Sequence, residues 1–283
     1  MKFVPMLELM NKAKAGGYAV PAFACWNAES MSIVLRTAEE MASPVILMGA
    51  WVDLDEIPPE EYGRLACAVA EGYDVPAALL LDHGDTPERV ERCINSGFTS
   101  IMLDYSGRPY AENVAALKAV VKQAKLRGIT VEGELGAVGR VGDVTPEGSG
   151  HSALTDPAEA KRFIEETGID VLAVAIGNAH GHYTTLPRLD FDRLEKIYRA
   201  TGVPLVLHGG SGTPEPDLKK AIACGICKVN IASELITAYR ESLMRQWNNR
   251  QNLWIPTACG HAGKEMSEVL RKWMRILNSE GKA

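Results

Sequence analysis

The sequence predicts an α/β chain folded as one closed (β/α)8 barrel of the TIM type, and three observations predict it. Eight short β-rich runs alternate with amphipathic stretches, the signature of parallel βα units. Glycines close the helical stretches at Gly97, Gly128, Gly168, Gly202 and Gly225, and several strands open just after such a glycine, as in Gly128-Ile129-Thr130-Val131. Polar residues are spread over many strand ends, and no G-x-G-x-x-G follows the first strand. A doubly wound open sheet would gather its ligand groups at one crevice instead.

Strands are expected near 19–24, 44–49, 76–82, 98–103, 129–134, 170–176, 203–208 and 226–230. Helices are expected over 29–42, 60–72, 87–96, 110–127, 157–167, 190–200, 215–224 and 232–247. Asp156-Pro157, with Glu159 in the first turn, and Thr213-Pro214 mark two helix starts. The segment 136–155 is too long and Gly-rich for a tight βα turn, and loops of that kind in compact domains are usually functional, so it reads as a lid. A tail from about 260 to 277 has helical periodicity. No linker or repeat interrupts the chain, and 1–283 reads as a single domain.

The composition is that of a globular protein with material for a large core: 46% hydrophobic and 23% charged in 283 residues. A net charge of −6 and the lack of a basic run argue against a nucleic-acid surface. The N-terminus lacks the long apolar stretch of a signal peptide, and no apolar run approaches the roughly 20 residues that span a bilayer. A soluble, cytoplasmic protein without membrane partners is expected. The six cysteines are scattered and form no disulfide framework. Cys224-Gly225-Ile226-Cys227 has no companion pair and straddles a helix end and a strand start, so it reads as two small buried thiols.

The chemistry lies at the strand ends. His83, His180 and His208 each follow an apolar run, and each adjoins a glycine. Neutral imidazoles converging from three strand ends hold a divalent metal and leave a coordination position open, the arrangement of a catalytic zinc. Zinc is the default for imidazole ligands; cobalt and manganese are the alternatives. Asp82, beside His83, either orients a ligand or works as an acid or base. Asp104 and Glu134 close two further strands, where they would support a histidine or contact metal or substrate. Glu132 and Glu134 share a strand face, and at least one of them requires a partner within the core. His151, His182 and His261 carry no role. Gly209-Gly210-Ser211 follows the seventh strand, and Asn230 and Ser233 follow the eighth. Barrel enzymes frequently hold phosphate in those two loops.

With these residues assembled, the chain resembles the class II, zinc-dependent ketose-bisphosphate aldolases over about residues 3–247. The likeness is clearest in Leu81-Asp82-His83-Gly84, Val131-Glu132-Gly133-Glu134-Leu135-Gly136, Gly177-Asn178-Ala179-His180-Gly181, His208-Gly209-Gly210-Ser211-Gly212 and Lys228-Val229-Asn230-Ile231-Ala232-Ser233. The resemblance implies reversible aldol cleavage of a sugar phosphate to dihydroxyacetone phosphate and an aldehyde. His83, His180 and His208 would hold Zn2+, which polarises the ketone, and Asp82 would shuttle a proton at the C4 oxygen. Gly181, Gly209, Gly210, Ser211, Asn230 and Ser233 would bind the phosphate. Asp104 and Glu134 match acidic positions near the family's metal. A monovalent cation, Na+ or K+, near that phosphate and a homodimer or homotetramer are also implied.

Four departures from the family pattern bear on the substrate. Gly142 stands where the lid's Glu falls, with Asp143 nearby. Met48-Gly49-Ala50-Trp51 lacks the Ser that touches the distal phosphate. The stretch 252–257 lacks the Arg that serves the same phosphate. Asp104-Tyr105-Ser106-Gly107-Arg108 replaces Asp-Gly-Ser-His. Two losses at the distal end imply a far group other than the usual phosphate, or new binding groups such as Arg108. Asn27, past the first strand, is a further candidate. Two other readings stay open from sequence: a metal-dependent barrel hydrolase, and a sugar-phosphate-binding barrel without turnover.

Overall fold

In the computed structural model, which describes residues 3–139, 154–181, 183, 186–250 and 252–283, eight parallel strands close into a barrel in sequence order. They are β1 (Val20–Ala24), β2 (Val45–Ala50), β3 (Ala77–Gly84), β4 (Ser100–Leu103), β5 (Thr130–Leu135), β6 (Val171–Val174), β7 (Leu205–Leu207) and β8 (Ile226–Ile231). The barrel closes where β1 pairs with β8, Ala22 opposite Asn230. Each predicted strand is present within a few residues, because each is a short apolar run between turn signals.

The outer helices are α2 (Ala28–Glu40), α4 (Pro59–Ala70), α5 (Pro87–Ile94), α6 (Tyr110–Lys125), α7 (Pro157–Thr167), α8 (Phe191–Thr201), α9 (Glu215–Ala223) and α10 (Ser233–Asn249), with α11 (Ile255–Ile276) as the C-terminal tail. Asp156 caps α7, accepting from the Ala158 and Glu159 amides, and Gly168 ends it in the left-handed conformation, as the sequence predicts. The tail helix begins earlier than its periodicity suggests. Gly263 lets it approach α2 at Ile33, and Thr37 Oγ1 donates to Ser267 Oγ at 3.2 Å. Cys224 and Cys227 are free thiols on either side of the α9–β8 junction, Cys227 buried and Cys224 half-buried. Among the described residues, no helix is long and apolar enough to cross a membrane.

Two helices fall outside the predicted set. One is α3 (Trp51–Glu56), a short turn directly after β2. The other is α1 (Met6–Gly16), which stops the N-terminal end of the barrel. Its Met6, Leu9, Met10 and Ala13 are buried against the inward-facing Val20, Ala22, Ile46, Ala78, Leu80, Val171, Ala173 and Val206. Its first amides are satisfied by barrel side chains: Met6 N donates to Ser100 Oγ and Leu7 N to Thr130 Oγ1, both at 3.0 Å. The opposite, C-terminal end stays open for chemistry. Met10→Ala is expected to cost about 2–5 kcal/mol through the cavity it leaves. Urea unfolding measures this, and an unchanged midpoint would show that α1 is not part of the cooperative core.

Candidate active site

Residues pointing into the barrel alternate along each strand, so Asp82, Glu132, Glu134, Lys228 and Asn230 all face the interior. By the same alternation His83 should point outward. It does not: its φ is +46°, a left-handed value that a non-glycine residue rarely adopts, and the β3–β4 register shifts between Leu81 and Gly84. This local strain returns the imidazole to the cavity, so Asp82 and His83 serve one site. Gly84 permits it, because a Cβ there would lie 2.5 Å from the Met102 carbonyl oxygen of β4.

The three histidines converge. His83 Nε2 lies 3.2 Å from His180 Nε2 and 2.8 Å from His208 Nδ1, and the ligand atoms of all three fall within 4.8 Å of one another. Two nitrogens on one tetrahedral zinc are about 3.3 Å apart, so the spacing suits a single ion. The surroundings fit a cation as well. Glu134 Oε2 is buried with no hydrogen-bond partner among the described residues and lies 3.9 Å from His208 Nδ1, while Glu134 Oε1 accepts from Val138 N at 3.0 Å. Burial and then the charge of Asp104 push the Glu134 carboxyl up. His180 is pushed down to about 3 by burial and by the other two rings, which leaves it neutral with a lone pair available. Burial opposes a charge on His83, but Asp82, Asp104 and Glu134 outweigh it and push the ring up to about 10. A metal ion binding there displaces that proton.

The rings of His83 and His208 each have a fixed carboxylate partner, and the His180 ring hydrogen-bonds to the Val138 backbone. His83 Nδ1 donates to Asp104 Oδ2 at 2.6 Å, and Asp104 Oδ1 accepts from the amide and hydroxyl of Ser106. Despite burial, His83 and Ser106 hold the Asp104 carboxyl far below the usual range. His208 Nε2 donates to Glu132 Oε1 at 2.8 Å. Asn178 Nδ2 donates to the His208 carbonyl at 3.0 Å, and His180 N donates to Gly139 O at 2.8 Å. A second group of ligand-capable atoms, His83, Asp104 and Glu134, overlaps the first.

The rings of His83 and His180 line a cavity of about 710 Å3, together with Asp82, Asp104, Gly181, Gly209, Ser211, Asn230 and Ser233, while the His208 ring is fully buried next to them. That volume is within the roughly 300–1,000 Å3 of small-molecule sites. Gly209 is forced to be glycine: its φ is +65°, and a Cβ would meet the Ala179 carbonyl oxygen at 2.0 Å.

Several expected site residues sit elsewhere or act differently. Asn230 Nδ2 donates to Asp82 Oδ1 at 2.9 Å, so its side chain first holds the acid. Gly210 N is spent on the Asn230 carbonyl, and Gly210 is a link between loops. Asn27 caps α2, accepting from Ser30 N at 2.9 Å, and does not line the cavity. Arg108 also lies outside the lining; its guanidinium stacks 4.0 Å over the Tyr105 ring and faces Glu112. His261 is exposed on α11 and pairs with Gln246. Asp143, His151, His182 and most of the 136–155 lid lie outside the described residues. Three features escaped the sequence reading. Lys228 is fully buried and paired with Glu132. Tyr183 accepts from Ala179 N and donates to Gly209 O. Trp51 and Val52 wall the cavity.

The family described as fructose-bisphosphate aldolase class-II matches residues 4–282. The YdjI aldolase from Escherichia coli K12 is 33% identical, with 99% of each chain covered and a TM-score of 0.87. A protein from Coccidioides immitis assigned as a fructose-1,6-bisphosphate aldolase is 31% identical, with 98% of this chain and 96% of that one covered and a TM-score of 0.88. A fructose-bisphosphate aldolase from Campylobacter jejuni, 23% identical over 100% of this chain and 97% of its own, shares the fold at a TM-score of 0.84. With eight parallel strands closed in sequence order, a cavity at their C-terminal ends and a match over nearly the whole length, the chain belongs to the class II fructose-bisphosphate aldolase family and is an aldolase.

Proposed function

We propose that this enzyme uses zinc to cleave a ketose 1-phosphate, or a ketose bisphosphate, reversibly to dihydroxyacetone phosphate and an aldehyde. The meeting of three imidazole nitrogens, two of them from rings that line the same cavity as Asp82, carries this reading. His83, His180 and His208 hold the ion. When bound, it supplies Lewis-acid polarisation of the substrate ketone and offsets the negative charge that develops as the carbon–carbon bond breaks.

The protein's own groups do the rest. Asp82, aimed by Asn230, takes the proton of the C4 hydroxyl in cleavage and returns it to the aldehyde oxygen in condensation. Gly181, Gly209, Ser211 and Ser233, at the ends of β6, β7 and β8, cradle the phosphate of the three-carbon unit, with Asn230 beside them. Asp104 fixes the His83 tautomer, and Glu134 offers a spare buried oxygen to the metal centre.

The far wall favours a substrate whose distal end is not a phosphate. Met48, Trp51, Val52 and Asp85 line the cavity at the ends of β2 and β3, and none of the described lining residues is Lys or Arg. Arg89, next to it, is already committed: it donates to Asp85 at 2.7 Å, to Asp55 at 2.8 Å and to the Trp51 carbonyl at 3.1 Å. A phosphate without a charge-assisted donor keeps its desolvation cost.

A zinc assay combined with dihydroxyacetone phosphate release from a panel of ketose phosphates tests the reading. About one zinc per chain is expected, with kcat/KM for a ketose 1-phosphate at least roughly tenfold above that for its bisphosphate, the 1.4 kcal/mol of one poorly matched group. Equal or better turnover of fructose or tagatose bisphosphate would remove the distal-end argument. Release of no dihydroxyacetone phosphate from any member would remove the substrate class.

A further inference from the structure

Beneath the histidine cluster, one layer deeper in the barrel, lies a charged chain that the aldol chemistry does not itself require. Lys228 on β8 reaches across the interior and donates from Nζ to Glu132 Oε2 at 2.6 Å. Glu132 on β5 accepts at its other oxygen from His208 Nε2 at 2.8 Å. Lys228, Glu132 and His208 are all 0% exposed. The apolar plug residues of α1 and the inward-facing residues they pack on fill the N-terminal end of the barrel.

Two physical arguments point the same way. First, a buried ion pair is a poor source of stability, since desolvation consumes most of its Coulomb gain and well-packed apolar residues of similar volume do at least as well. A full charge pair in the middle of a barrel therefore calls for another use. Second, an imidazole facing a carboxylate carries its proton on that side. With Nε2–H turned to Glu132, the lone pair of His208 is on Nδ1, and Nδ1 is the atom 2.8 Å from His83 Nε2. His83 is oriented in the opposite sense: Nδ1 is tied to Asp104, and Nε2 faces the cluster.

We propose that Lys228 and Glu132 are positioning residues that set His208 as an Nδ1 ligand, with Lys228 pinning Glu132 and Glu132 pinning the ring. This rests on the reading of His208 as a metal ligand. The carboxylate dictates the tautomer, and the lysine dictates where the carboxylate stands. The Asn178 bond to the His208 carbonyl fixes the backbone of the same residue, leaving the ring little freedom. Outer partners of this kind are worth about 10–100-fold in metal affinity.

The test separates positioning from folding. Lys228→Met alone strands a buried carboxylate, so the deciding variants remove both charges. K228M/E132Q keeps an acceptor for His208 Nε2–H, and K228M/E132L leaves none. Zinc affinity is measured by chelator competition, cobalt-substituted protein by its visible spectrum, and the metal-free proteins by thermal unfolding. The expected result is thermal stability close to that of the parent, with zinc affinity lowered about 10–100-fold in K228M/E132L. K228M/E132Q should lie between that variant and the parent, and the cobalt spectrum should change in the same order. Affinities within about threefold of the parent in both variants, or an unchanged cobalt spectrum, would overturn the relay.

A measurement on the unaltered protein guards against misfolded variants. Long-range 1H–15N NMR of the zinc-loaded parent should find the His208 proton on Nε2, and a proton on Nδ1 would overturn the proposal. Failure of the parent itself to bind zinc or cobalt is a different outcome, and would count against His208 as a ligand at all.

Discussion

His208→Ala is expected to strip most of the zinc from the protein and with it nearly all aldol cleavage. The substitution removes one of three nitrogen donors and leaves His83 and His180, whose Nε2 atoms are 3.2 Å apart, as a two-point site. A catalytic zinc ordinarily keeps three protein ligands. Loss of the Lewis acid removes several kcal/mol of transition-state stabilisation, and at about 1.4 kcal/mol per factor of ten this amounts to roughly 10³-fold or more in rate. Glu132 retains Lys228 after the change, so the barrel keeps its buried ion pair and the fold should persist. Metal content after desalting, dihydroxyacetone phosphate release and a far-ultraviolet circular dichroism spectrum together read the outcome. A folded variant that holds a full equivalent of zinc and turns over normally would refute the metal centre.

Asp82→Ala should separate chemistry from metal binding. Asp82 is 8% exposed at the cavity floor, held by Asn230, and is not one of the three converging nitrogen donors. Zinc should stay, while kcat falls by about 10²-fold or more, the usual contribution of a positioned acid or base. The two variants thus differ in kind: one loses the ion and the rate together, the other the rate alone. Full activity in Asp82→Ala would assign the proton transfer elsewhere.

Between them, these variants probe two levels of organisation that are legible from sequence to different extents. The eight strands are readable because each is a short apolar run ended by glycine or a cap. The three histidines stand out because each follows such a run. Helix α1 is not readable as a plug, since nothing in its local pattern says which cavity its Met6, Leu9 and Met10 will fill. Asn230 and Gly210 look like phosphate donors in sequence; in the folded chain one holds Asp82 and the other bonds to Asn230 itself. Arg108 looks available to a distal anion until Tyr105 is found beneath it.

By itself, the sequence determined the barrel, the donors at its strand ends and the family, because periodicity, turn residues and motif spacing are local properties of the chain. The tertiary structure alone decided which donors share a point. His83 and His208 are separated by 125 residues and meet only because the barrel closes in register. His83 joins Asp82 on one face only because its backbone takes a left-handed turn against the alternation of its strand. Lys228 finds Glu132 because inward-facing positions of two separate strands fall at one depth of a closed interior, a coincidence of geometry that no local pattern encodes.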